Sequence, residues 1–249
     1  VTSNLSGIAS GSPSRRDVRP AELQEVGKVY RRRGASIVAL EPLTLSVERG
    51  ETVALIGPNG VGKSTTLKIL ATLVEPSAGR ASVLGYDVVR ECRVARRMIG
   101  VSLGSARSFY WRLSARHNLT FFARLRGMAG SALREAIDES ASALGIADAL
   151  DAPVRRLSRG TLARLAVARA VLGDPPLILL DEPFAAVDSV GRDLIRRALL
   201  DRTGRGAAVI MATHDGTQAE RCDRVCELSR RPRARLGPLP PSLGSAGRS

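Results

Sequence analysis

The chain has 249 residues, 44% of them hydrophobic, enough for one large α/β domain or two small ones. Its formal net charge is +14, carried almost wholly by arginine, but only 3% of its residues are aromatic, poor material for stacking nucleic-acid bases. Its longest apolar runs, such as residues 207–212, fall far short of the roughly 20 residues of a membrane-spanning helix.

Residues 1–20 are rich in Ser, Gly, Arg and Pro and read as a flexible lead. They lack the basic start and apolar core of a secretory signal. Structure is expected from Ala21 onward. Residues 43–47 alternate apolar and polar, the pattern of a half-buried strand, and residues 48–51 form a turn. Residues 52–56 read as a buried strand that runs into a Gly-rich loop, and residues 64–73 as a helix. Residues 113–150 are mostly helical in pattern, with Phe121, Phe122, Leu125, Leu133, Ile137 and Leu144 on recurring faces. Another helix follows Ser158, with Leu165, Ala168 and Leu172 at i, i+3 and i+7. Residues 177–180 and 207–212 are short apolar strands suited to the middle of a parallel sheet. The segment 229–249 is Arg, Pro, Gly and Ser without periodicity and reads as a disordered basic tail.

The three cysteines, Cys92, Cys222 and Cys226, are odd in number and widely spread, which is no disulfide framework. Cys222 and Cys226 would share a face if helical, and His214 is near in sequence, but a full set of metal ligands is lacking. Buried thiols are the simpler reading.

Gly57-Pro58-Asn59-Gly60-Val61-Gly62-Lys63-Ser64-Thr65 fits G-x-x-x-x-G-K-[ST] completely, at a strand-to-helix junction. Glycines let successive N–H groups turn inward around phosphate oxygens, and the helix adds its positive end. Lys63 can neutralise the β- and γ-phosphates, and the Ser64 hydroxyl can sit on Mg²⁺. Downstream, Leu177-Ile178-Leu179-Leu180-Asp181-Glu182 is an apolar strand ending in two carboxylates. Asp181 can reach the metal, and Glu182 can orient or deprotonate an attacking water. Together the two elements point to binding and hydrolysis of ATP with Mg²⁺.

With these in place, the chain resembles the nucleotide-binding domain of ABC transporters. The specific mark is Leu157-Ser158-Arg159-Gly160-Thr161, similar to that family's LSGGQ signature, with Arg164 at the later basic position. By itself this segment would also serve as a plain Ser N-cap. The resemblance implies that Ser158 and Gly160 contact the γ-phosphate bound to the opposite subunit, and that Tyr30 stacks on adenine, although a packed core Tyr is the competing reading. It implies that Asp188 belongs to the D-loop, here Phe184-Ala185-Ala186-Val187-Asp188. It also implies that His214 in Ala212-Thr213-His214-Asp215 senses the γ-phosphate.

Two stretches depart from the family pattern. Val101-Ser102-Leu103-Gly104-Ser105-Ala106-Arg107 has no Gln where the family places one on Mg²⁺, and Ser105 offers only a shorter hydroxyl. Ser229-Arg230-Arg231-Pro232-Arg233 interrupts the last hairpin.

The expected fold is therefore α/β, a P-loop NTPase fold of the ABC ATPase type. It has a β-rich N-terminal portion and a helical subdomain inserted at about residues 86–156, before the signature; the ATPase domain spans 21–228. The expected function is ATP hydrolysis driving transport through separate integral membrane subunits. Leu157 to Gly160 and residues 108–113 resemble exporter types. The expected setting is the cytoplasmic side of the membrane, paired head to tail with a second copy or a homologous subunit, without nucleic acid. A degenerate regulatory subunit with weak hydrolysis and a soluble non-transport ABC ATPase are the alternatives.

Overall fold

The computed structural model describes residues 18–32, 35–104 and 108–229. Most of the expected lead, the tail beyond Ser229, and Ser105 lie outside the described residues.

The chain opens with two long antiparallel strands, β1 (Ala21–Arg32) and β2 (Ala35–Val47). The strand read at 43–47 is thus only the end of a longer one. β3 (Thr52–Ile56) follows, then helix α1 (Lys63–Leu70). The helix read as far as residue 73 stops at Leu70, because Thr72 adopts φ 60, outside the helical region. β4 (Ala78–Val83) and β5 (Tyr86–Asp87) join β1 and β2 in a four-stranded antiparallel sheet of order β2-β1-β4-β5.

After the short helix α2 (Cys92–Arg97) comes β6 (Ile99–Ser102), an edge strand of the second sheet. Residues 86–102 therefore complete the two sheets. The helical stretch begins later, with α3 (Ala115–Leu125) and α4 (Gly130–Ala143). Two- and four-residue strands leave too short an alternation to read from the sequence. α5 (Arg159–Val171) then leads into β7 (Leu177–Asp181). α6 (Ser189–Gly204), β8 (Ala208–Ala212), the one-turn α7 (Gly216–Ala219) and β9 (Arg224–Glu227) finish the described chain.

The second sheet has the order β6-β7-β8-β3-β9, all parallel. Parallel sheets are buried on both faces, so their strands read as continuous apolar runs. Period-2 alternation then divides each strand between two cores. Ile178, Leu180, Val209 and Met211 pack on α3, α4, α5 and α6. Leu177, Leu179, Ala208 and Ile210 pack on α1 and the antiparallel sheet. Cys222 and Cys226 fall on these opposite sides, Cys222 beside the helical core and Cys226 beside the other. They do not share a helical face, because Cys226 lies in β9. Burial pushes the Cys222 thiol up to about 11 and raises that of Cys226 as well.

Strand and helix layers approach closely at Gly100 in β6. A Cβ there would sit 1.8 Å from the Ala170 carbonyl oxygen of α5, so only glycine lets strand and helix approach this closely. Gly204, at the end of α6, has open space around it. Gly100→Ala is expected to destabilise the fold by at least about 1–3 kcal/mol through overpacking. Gly204→Ala is expected to be neutral or to stabilise it by up to about 0.5–1 kcal/mol. Urea unfolding of the two variants checks both signs.

Candidate functional site

The site lies where the parallel strands end. β3 delivers residues 57–62 to the start of α1, and three glycines make the turn: Gly57 at φ 139, Gly60 at φ 76 and Gly62 at φ 122. At Gly62 a Cβ would meet Leu40 Cδ1 at 2.6 Å and the Ala39 carbonyl oxygen at 2.9 Å, so β2 closes the loop from behind. α1 carries no side-chain cap; Thr66 donates to the Gly62 oxygen from its backbone N–H at 2.8 Å and its hydroxyl at 3.0 Å. The Lys63 ammonium lies back on its own loop, donating to the carbonyls of Gly57 (2.5 Å) and Pro58 (3.2 Å).

β7 ends on Asp181, and the chain turns at Glu182, whose φ of 51 is a left-handed conformation for a non-glycine residue. Such a conformation costs on the order of 1–3 kcal/mol and persists only where surroundings enforce it. Here the Glu182 N–H donates to the Ala212 carbonyl at 2.9 Å, which fixes the turn against β8. His214 Nδ1 lies 2.8 Å from Glu182 Oε1, and the Thr213 hydroxyl is 3.5 Å from Oε2. The carboxylate is thereby aimed from two sides by the residues that follow β8.

These elements enclose one cavity of about 890 Å³. Asn59, Gly60, Gly62, Lys63, Ser64, Thr65, Asp181 and Glu182 all line it. Phosphate-loop groups and paired carboxylates, over a hundred residues apart in sequence, are thus brought together. Gly57, Pro58 and Val61 shape the loop without lining the cavity, and Val61 is buried. His214 reaches the site through Glu182. The Ser64 hydroxyl and the Asp181 carboxylate are hard oxygen donors that both line the cavity, the set that suits Mg²⁺ shared with phosphate oxygens.

The remaining expected residues stand apart from the cavity. Tyr30 is 43% exposed beside Lys28, whose ammonium sits 5.1 Å from the ring centroid. It is no core tyrosine, and its strand partner Ile37 does line the cavity. Ser158 caps α5, accepting from Thr161 N–H at 3.1 Å, with its hydroxyl 2.8 Å from that of Thr161. Asp188 caps α6, accepting from Gly191 N–H at 2.8 Å. Arg164 donates to the carbonyls of Leu144 and Gly145, tying α5 to the end of α4.

Sequence reasoning missed the other walls. Ile37, Val38 and Ala39 of β2 form one, and Arg159, Leu162, Ala163 and Ala166 of α5 another. The β2 residues carry no chemical signal. The α5 residues follow a helical i, i+3, i+4, i+7 spacing that could have marked a common face.

A parallel sheet with a phosphate loop at the end of β3 and acids at the end of β7 defines a P-loop ATPase. The chain belongs to the ABC transporter family, whose model matches residues 40–185, and within it is an ATP-binding and ATP-hydrolysing subunit. It is 31% identical over 190 residues to the ABC transporter ATP-binding protein NatA of Bacillus subtilis (strain 168), covering 76% of this chain and 77% of that protein. It is 37% identical over 210 residues to the Nod factor export ATP-binding protein I of Burkholderia orbicola (strain AU 1054), covering 84% of this chain and 67% of that one. Among solved structures it is similar to a dimeric ATP-binding cassette in a post-hydrolysis state with ADP and Pi, at a TM-score of 0.77 and 28% identity, covering 84% and 94% of the two chains. An ATP-binding subunit of an ABC transporter gives a TM-score of 0.76 at 28% identity, covering 84% and 85%.

Gly62→Ala should weaken nucleotide binding while leaving the sheet intact, because the added methyl drives the loop off Leu40 and Ala39. The expected result is an ATP affinity reduced by tenfold or more, about 1.4 kcal/mol, with the helical content retained in circular dichroism.

Proposed function

We propose that the chain drives export of a substrate through separate membrane-spanning subunits, hydrolysing ATP as one half of a head-to-tail pair. The observation that carries this reading is the single cavity shared by Lys63, Ser64, Asp181 and Glu182. Residues 57–62 and Lys63 hold the phosphates. Mg²⁺, where bound by Ser64 and Asp181, supplies charge neutralisation between phosphate oxygens. Glu182, aimed by His214 and Thr213, takes a proton from water as the water oxygen attacks the terminal phosphorus. The bond from that phosphorus to the bridging oxygen then breaks and ADP leaves with the electron pair. His214 reads the terminal phosphate from the same hydrogen bond. Tyr30, exposed at the edge beside Ile37, stacks on the base.

Export follows the printed role of the Nod factor relative, and pairing follows the dimeric cassette. Among the described residues no helix is long and apolar enough to cross a membrane, so passage of a substrate falls to partner subunits. The ATPase works as one domain over residues 21–228, docked at the cytoplasmic face. Ser158 and Gly160 do not line the cavity of their own chain, which leaves them free for a partner's nucleotide. Asp188, at the end of the loop beside them, lies at the same junction.

Glu182→Gln should retain ATP binding and lose turnover by about 10²–10⁴-fold. Turnover near wild type would remove Glu182 as the base, and a wild type that binds ATP without turnover would favour a regulatory subunit. Pairing has its own test, in which Lys63→Ala and Ser158→Arg are each inactive alone. In a mixed dimer with shared sites, one site carries both lesions and the other none, so mixing should restore part of the activity. Confirmed dimers with no gain over the separate variants would contradict a shared site.

A further inference from the structure

The end of β6 and the two residues after it separate two cavities. Ser102 and Gly104 line the cavity of the phosphate loop, whereas Val101 and Leu103 line a second one, of about 530 Å³. This is the alternation of a strand, whose successive side chains point to opposite faces. The two cavities share no lining residue among those described.

Five arginines line the second cavity: Arg93, Arg96 and Arg97 from α2, Arg126 from the end of α3, and Arg169 from α5. Among the described residues no Asp or Glu lines it, and none of the five arginines belongs to an ion pair. Residues 105–107, which follow this wall in sequence, are Ser, Ala and Arg and add no carboxylate. Leu73, Ile99, Leu103, Phe122 and Leu125 give the same cavity an apolar side.

Arg169 is the group that the fold leaves incomplete. It is 8% exposed, and its guanidinium lies 4.6 and 4.7 Å from the ring centroids of Phe109 and Phe122, which hold its plane. One terminal nitrogen donates to the Ser108 hydroxyl at 2.9 Å, and the other reaches the Val101 carbonyl at 3.5 Å. Its Nε has no acceptor among the described residues. A buried donor left unpaired is costly, and here the chain supplies no anion to meet it. Burial lowers the pKa of Arg169 and of Arg126, yet both remain cationic at neutral pH.

We propose that this second cavity binds an anionic amphiphile, an alkyl chain ending in a phosphate or carboxylate head, with the head on the arginines and the chain on the apolar side. The chemistry needs both parts. A bare inorganic ion would leave the apolar side in water, and an uncharged chain would leave Nε without an acceptor. The volume also selects the ligand. Small-molecule sites occupy about 300–1,000 Å³. A helix about 10 Å across fills about 400 Å³ per turn, so the cavity admits little more than one turn of a partner's helix.

Isothermal titration of the full chain with decyl phosphate, kept below its micelle concentration, tests this with and without saturating Mg–ADP. One-to-one binding is expected in both conditions. Decanol and inorganic phosphate should each bind at least tenfold more weakly. Octyl phosphate should bind roughly tenfold more weakly than decyl phosphate, because two fewer methylenes are buried. Arg169→Met should weaken decyl phosphate tenfold or more. Leu125→Glu, at a position 67% exposed, adds a repelling charge beside the cavity and should do the same; it decides alone if thermal unfolding shows that Arg169→Met does not fold. Vesicles separate the two sources of such a ligand. Sedimentation with phosphatidic acid vesicles but not phosphatidylcholine vesicles, abolished by Leu125→Glu, assigns a membrane lipid; binding of the soluble amphiphile alone assigns a free one. Displacement by ADP would put decyl phosphate in the phosphate loop and overturn the proposal without touching the nucleotide reading. Equal affinity for decanol or for inorganic phosphate overturns it too, as does unchanged affinity in the folded variants. So does an acidic amphipathic peptide that binds the cavity more tightly than decyl phosphate, which would give the cavity to a protein partner.

Discussion

The register of three parallel strands fixes everything else at the site. Leu55 of β3 and Asp181 of β7 both pair with Ala212 of β8, so these three residues stand abreast across the sheet. Neighbouring strands are about 4.8 Å apart, which sets the separation between the loop after β3, the acids after β7 and the Thr213–His214 pair after β8. The bonds that continue this row, Glu182 N–H to Ala212 and Thr213 N–H to Leu55, carry the alignment one residue beyond the strands. A slip of one residue would turn Leu180 and Met211 from the helical core toward the opposite layer and move Asp181 off its level. Burial of both faces is therefore what holds the reactive groups in step.

Against that rigid frame, the strand ends that form the site carry irregular backbone. Gly57, Gly62 and Glu182 all have positive φ, and so does Ala186 in the loop that follows. α5 links this region to the helical layer. Its Ala170 carbonyl rests against Gly100, and its Arg169 guanidinium lies between the rings of Phe109 and Phe122, at 4.6 and 4.7 Å. Arg169 donates to the Ser108 hydroxyl at 2.9 Å, and burial without a carboxylate partner brings its pKa down to about 10. It is still cationic at neutral pH, held by ring faces in place of an ion pair. The C-terminal part of α5 is thus anchored to β6 and α3, while its first turn borders the cavity.

The sequence made the phosphate loop, the acid-ended strand and the Ser158 cap legible because each is a local pattern with a chemical requirement. Residues 52–56 and 177–180 read as buried strands because both their faces are covered. What stayed hidden needed distant partners. β5 and β6 are too short to show a period, and β2 runs longer than its alternating end because its first half is exposed at the sheet edge. Cys222 and Cys226 were separable only once β9 was known to pair with β3. The cavity walls from β2 and α5 are apolar or bear a lone arginine, and such residues acquire meaning only from what they face. The family resemblance put Ser158 and Gly160 at the site; the stripe of Arg159, Leu162, Ala163 and Ala166 became legible only from the cavity it borders.

β9 touches the phosphate loop itself. Leu228 N–H donates to the Ile56 carbonyl at 2.9 Å, and a Cβ on Gly57 would lie 2.4 Å from the Leu228 oxygen. The first glycine of the loop thus lies against the backbone of Leu228, among the last described residues, with no side chain between them. A tension applied to the polypeptide past Ser229, by a tether, a fused domain or a bound surface, would be felt at Gly57 through a single hydrogen-bonded step. The C-terminal end of this sheet is mechanically part of the nucleotide site, and a handle attached there for immobilisation or force measurement would report on the loop as much as on the fold.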